Sequence, residues 1–200
     1  AGFVFLFLIV GAYRFRKENR TIPILAFTAF FLMLFEAWLG KTVVDTNLTP
    51  EIITIHMVVG LIIIALLLKL QFIISPKSKT FKYNALFNKL LLVSVIFSLI
   101  QIAMGTQVRQ FIDEQVKQFG FENKNYSLLN PSFKFYFHRS FTIAIVLVNL
   151  GLFYLNQIKD LGYRLVNWIV FLIFLEAITG ILMYYAEFPI GTQAIHLLSG

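Results

Sequence analysis

Five long apolar stretches constrain this chain more than any other feature: Ile22–Leu39, Ile52–Ile74, Leu90–Met104, Phe135–Leu155 and Leu165–Tyr185. A helix of about 20 apolar residues crosses roughly 30 Å of hydrocarbon, and each run reaches or approaches that length. A membrane β-barrel would alternate polar and apolar residues over segments of about 10, whereas these runs are continuous. Two shorter apolar pieces, Ala1–Tyr13 and Thr192–Gly200, bring the helical segments to seven. Composition agrees, with 58% hydrophobic and 14% charged residues where soluble domains carry about 25% charged. The expected fold class is all-α, a polytopic membrane helical bundle. Neither a basic n-region nor a small-residue cleavage site marks a signal peptide. Both ends fall inside apolar runs, so the chain reads as a piece of a longer protein, truncated at both ends.

Charge assigns the two sides. One set of connections carries Arg14, Arg16, Lys17, Arg20, Lys69, Lys77, Lys79, Lys82, Lys89, Lys159 and Arg164 against two acids, Glu18 and Asp160. The other side holds the remaining six basic residues and eight acids. The positive-inside rule makes the first side cytoplasmic. The net charge of +7 is thus a topology signal and not a nucleic-acid surface. The longest connection, Gln107 to Lys134, is expected outside, folded over the outer face through Phe111, Phe119, Phe121 and Tyr126. The chain has no Cys, which removes disulfides, thiolate metal sites and cysteine nucleophiles.

An internal repeat organises the polar residues. At an offset of 140 residues, Glu36 matches Glu176, Ala37 matches Ala177, Gly40 matches Gly180, His56 matches His196 and Gly60 matches Gly200. A looser copy runs from Gln101 and Gly105 to His138. Each unit is a helix bearing Glu or Gln four residues before Gly, an outer loop, and a helix that begins near its His. Such self-similarity dictates architecture; here it implies two pseudo-symmetric four-helix halves, the first incomplete, divided as 1–75 and 85–200. Sliding His138 back by the same offset places a fourth His just before Ala1.

The three His are the main candidates for chemistry. Ionisable groups at membrane depth are costly and mark functional sites, imidazole is a common metal ligand, and paired His can hold haem iron from both sides. Gly60, Thr142 and Gly200 each lie one turn beyond a His, on the same helix face, and are expected to leave room for a flat macrocycle. Zinc is disfavoured because no second ligand stands three or four residues from any His. Glu36 and Glu176 are candidates for accepting a hydrogen bond from a ligand His or for carrying protons. As alternatives, each marks the aqueous edge or belongs to a packing device. Arg139, beside His138, is suited to a carboxylate such as a haem propionate.

Phe-His-Arg-Ser at 137–140, Glu-Ala-x-x-Gly before His56 and His196, and Gln-Ala-Ile-His at 193–196 together resemble the haem A synthase family. The resemblance spans the whole chain and implies an eight-helix oxidoreductase that converts a methyl substituent of haem O to the formyl group of haem A for terminal oxidases. It implies a haem b cofactor between His138 and His196, with Arg139 and Gly200 beside it, and the substrate haem at His56 and Gly60. The family's main catalytic Glu, in a Glu-x-x-His-Arg motif, would lie upstream of Ala1; the equivalent position in the other half is Phe135. Glu36 is the acid beside the substrate within the chain. The outer-loop Cys pair of some members has no counterpart. Further implied are membrane lipid around the helices, haem O synthase and an electron acceptor as partners, a homo-oligomer, and a bacterial cytoplasmic membrane with the His at its outer face. The alternative is a di-haem b-type electron-transfer protein using the same bis-His ligation without enzymatic activity. A repeat-built transporter is less favoured, because the His lie near one face instead of the midplane.

Overall fold

A computed structural model describes residues 2–47, 49–75, 82–120, 131–186, 189 and 191–199. The described residues are almost entirely helical: α1 (Gly2–Arg14), a single 3₁₀ turn at Phe15–Lys17, α2 (Thr21–Asp45), α3 (Pro50–Ile74), α4 (Ala85–Phe119), α5 (Phe133–Ile158), α6 (Leu165–Tyr185) and α7 (Thr192–Ser199). Five of them, α2 to α6, are long and apolar enough to span a bilayer. The protein is an integral, multi-pass membrane helical bundle. Side chains such as Leu147, Trp168 and Phe31 stay largely exposed on these helices, as expected of a surface solvated by lipid tails.

The chain divides into two compact units, Ala1–Lys79 and Thr80–Gly200. In the first, α2 packs against both α1 and α3. Its core is Ala12, Ile22, Leu25, Ala26 and Leu70, flanked by Leu8, Leu66 and Ile73. Ala26 and Ala29 are fully buried; without a hydrophobic drive between helices in lipid, small residues that let backbones approach carry much of the association. Pro50 opens α3 with Glu51 in its first turn, both favourable at a helix N-terminus.

In the second unit, α4, α5, α6 and α7 pack in sequence order, each on the next. Asn84 caps α4, its Oδ1 accepting from the Phe87 amide at 2.9 Å. Phe87, Leu152, Leu161 and Val166 form the core, and Tyr163 stacks on Phe87 with ring centres 4.8 Å apart. The α5–α6 turn is pinned by Asn156, which donates to the Tyr163 carbonyl and accepts from the Tyr163 amide, both at 3.1 Å. Gly162, at φ +85°, supplies the left-handed residue this turn requires. Deeper in the unit, Ser94 donates to Asn149 Oδ1 at 3.0 Å while the Asn149 amide reaches the Ile145 carbonyl, so both buried polar groups are satisfied.

One boundary departs from the sequence reading. The connection expected from Gln107 begins as helix, since α4 continues to Phe119 before Gly120, at φ +83°, ends it. At 1.5 Å per residue its 35 residues extend about 52 Å, well beyond the roughly 30 Å of hydrocarbon. The cause is local: no Pro interrupts 105–119, and Arg109–Asp113 and Gln110–Glu114 pair one turn apart along the exposed face. Hydropathy marked where the chain leaves the apolar core, not where the helix stops. Phe121 and Tyr126 lie outside the described residues.

Candidate functional site

Each His sits within two turns of the start of its helix, seventh in α3, sixth in α5 and fifth in α7. Each faces the preceding helix in the same antiparallel register. A methyl group at Gly40 would come 3.4 Å from Cε1 of His56, one at Gly105 3.3 Å from Cε1 of His138, and one at Gly180 3.5 Å from Cε1 of His196. The imidazole edge lies against each glycine, so a methyl would be in ordinary contact at Gly40 and Gly180 and tight at Gly105, and a larger side chain would displace the ring. The conserved geometry within the chain thus pairs the Gly of one helix with the His of the next.

One turn away, the same register brings the Glu or Gln against the small residue beyond the His. A methyl at Gly60 would meet Oε1 of Glu36 at 3.1 Å. Gln101 Nε2 donates to Thr142 Oγ1 at 2.9 Å and to the His138 carbonyl at 3.1 Å. The room at Gly60 and Thr142, read from sequence as space for a macrocycle, is therefore taken by the polar side chain of the neighbouring helix. Gly200 lies outside the described residues.

The second ligand-like nitrogen of each ring is treated differently in the three copies. Nδ1 of His196 lies 2.7 Å from Glu176 Oε2 and 2.9 Å from Thr179 Oγ1. Nδ1 of His56 lies 3.1 Å from Glu36 Oε1, yet off the line of a hydrogen bond, so it remains without a hydrogen-bond partner. Nδ1 of His138 is buried and has no hydrogen-bond partner, and Oε1 of Gln101 is likewise unsatisfied. The carboxylates are not at an open aqueous edge: the Glu36 and Glu176 side chains are 20% and 19% exposed. Thr179, 4% exposed, escaped the sequence reading. Its signal was a polar residue where the other two copies carry Leu39 and Met104.

His138 and His196 come together in the second unit. Their ring centres are 6.5 Å apart, with planes crossed at 79°. The two imidazoles are therefore near enough to serve one group between them, and imidazole nitrogens are the donors that haem iron takes. Arg139 lies among aromatic rings, its guanidinium 5.6 Å from the Tyr136 ring centre, 5.7 Å from Tyr184 and 6.0 Å from Phe135, distances at which a cation is attracted by the ring faces. Among the described residues no three His, Asp or Glu side chains gather as a multidentate metal site.

No curated protein and no solved structure matches the chain. The model of the COX15-CtaA family, described as cytochrome oxidase assembly protein, matches residues 1–200. With a match over its full length, the chain belongs to this family of cytochrome oxidase assembly proteins, the haem A synthase family that its motifs resemble.

Proposed function

We propose that this protein is a haem A synthase, oxidising the methyl group of haem O to the formyl group of haem A. The single observation that carries the reading is the imidazole pair of the second unit, His138 and His196 with ring centres 6.5 Å apart, in a chain of the cytochrome oxidase assembly family. His138 and His196 would hold haem b, which supplies one-electron redox chemistry when bound. Glu176 and Thr179 orient His196, and Gly105 and Gly180 let both rings approach the preceding helices. Arg139, already among aromatic rings, is suited to a propionate at the edge of the same site. His56 would bind the substrate haem, with the Glu36 carboxylate 3.1 Å from its Nδ1.

Forming the formyl group adds one oxygen atom, supplied by water, and releases four electrons and four protons (R–CH3 + H2O → R–CHO + 4 H+ + 4 e−), so an electron acceptor is a required partner. Haem O synthase is the natural supplier, since an apolar product passed within lipid never needs to enter water. The site lies toward the outer face of a bacterial cytoplasmic membrane in this reading, because the basic connections lie at the opposite ends of the helices. The experiment is pigment extraction and mass spectrometry on purified full-length protein. Haem B together with haem O or haem A is expected. Haem B alone would overturn the synthase reading in favour of an electron carrier, and absence of haem would overturn both.

A further inference from the structure

Two oxygen acceptors converge on Nδ1 of His196. The Glu176 carboxylate has no hydrogen to offer when ionised, and the Thr179 hydroxyl has nearby outlets for its own. Thr179 Oγ1 lies 3.0 Å from both the Leu175 and the Glu176 carbonyls, donating back along α6. With its hydrogen directed there, the oxygen turns a lone pair to His196. A bare Nδ1 would set lone pair against lone pair at 2.7 and 2.9 Å. Nδ1 therefore carries the hydrogen, and the lone pair of the ring resides on Nε2.

We propose that Thr179, with Glu176, is a positioning residue that fixes the Nδ1–H tautomer of His196 and makes it the more electron-rich of the two imidazoles of the second unit. This rests on the haem b reading above. A ligand His that donates its other N–H to a carboxylate becomes more basic and is held in orientation, and losing such a partner commonly costs 10–100-fold in metal affinity. His138 has no acceptor at Nδ1, so the pair is asymmetric. More electron density at the iron favours the ferric form. The offset of 140 residues places Leu39 where Thr179 stands, so this device is confined to the second unit.

The test uses full-length protein purified with its haem, comparing Thr179→Val, Thr179→Ser and Glu176→Gln by redox potentiometry and haem titration. Val keeps the shape and removes the hydroxyl; Ser restores it. Thr179→Val should shift the ferrous-to-ferric ratio about tenfold toward ferrous at a fixed potential, about 59 mV for a one-electron couple. Thr179→Ser should return the wild-type potential, and Glu176→Gln should weaken haem retention about 10-fold or more. Loss of haem from the Val variant but not the Ser variant would also support the proposal. An unmoved potential in Thr179→Val, or equal haem loss from Val and Ser variants, would overturn it while leaving the haem reading intact. A wild-type spectrum without bis-imidazole ligation, or one unchanged by His196→Ala, would overturn the haem b reading itself.

Discussion

The two units build the same helix pair and finish it differently. In the first, His56 rests on Gly40 while Glu36 fills the space above Gly60. In the second, the motif occurs twice, once with Gln101 and once with Glu176, and the two His meet. Deeper along the pair the contrast continues. Ser94 and Asn149, seven residues before Gln101 and eleven after His138, clasp α4 to α5; the positions at the same spacing in the first unit are Ala29 and Leu67. The helix pair is thus clasped by an internal hydrogen bond in the second unit and packed by apolar side chains at the same spacing in the first. The clasped pair suits a permanent cofactor, and the apolar one suits a molecule that must leave.

The most direct way to break this contrast is to delete the ligands. His138→Ala or His196→Ala should abolish the low-spin haem b spectrum. His56→Ala should leave that spectrum in place and abolish conversion of haem O, followed in membranes by chromatography of extracted haems. Identical spectra for His56→Ala and His138→Ala would remove the division of labour between units.

A second, smaller blow falls on the glycines. Gly105→Val should displace the His138 ring, already 3.3 Å from the added carbon, and weaken haem b retention about 10–100-fold. Gly40→Val should impair haem O conversion with the haem b spectrum unchanged. Titration of extracted protein with haem separates the two.

The buried clasp gives a stability effect. Asn149→Leu should cost about 0.6–1.7 kcal/mol, the range of interhelical hydrogen bonds in a membrane protein, by unfolding in mixed micelles. Adding Ser94→Ala, which imports the residue types of the first unit, should recover part of that loss because no donor is then left unpaired. The smallest effect expected is from Leu39→Thr, which places the hydroxyl of the second unit beside His56. Haem O binding should tighten roughly two- to threefold, the worth of one weak neutral hydrogen bond, as read by equilibrium titration.

The spans, the repeat and the three His were legible because each leaves a periodic or compositional trace. Apolar runs predict crossings wherever hydrocarbon is the solvent, and a fixed offset survives in the one-dimensional chain. Contacts between helices leave a fainter trace. Gly60 and Gly40 both read as small residues near a His; only the antiparallel register shows that one receives a carboxylate and the other an imidazole. Thr179 was hidden because its function depends on two partners, one on its own helix and one seventeen residues on, across a turn. The polar extension of α4 was hidden because helix propensity and hydropathy are separate signals, and its side chains satisfy the first while failing the second.

The antiparallel register also sets which lengths can vary. Glu36 answers Gly60 as Gly40 answers His56, so both contacts depend on a spacing of four residues in each helix. An insertion in the connection between α2 and α3 leaves those spacings intact. A single residue inserted between Glu36 and Gly40 would turn one relative to the other by about 100° and send either the carboxylate or the imidazole's seat toward lipid. Length variation among proteins sharing this architecture should accordingly collect in the connections and stop abruptly at the first polar residue of each pair.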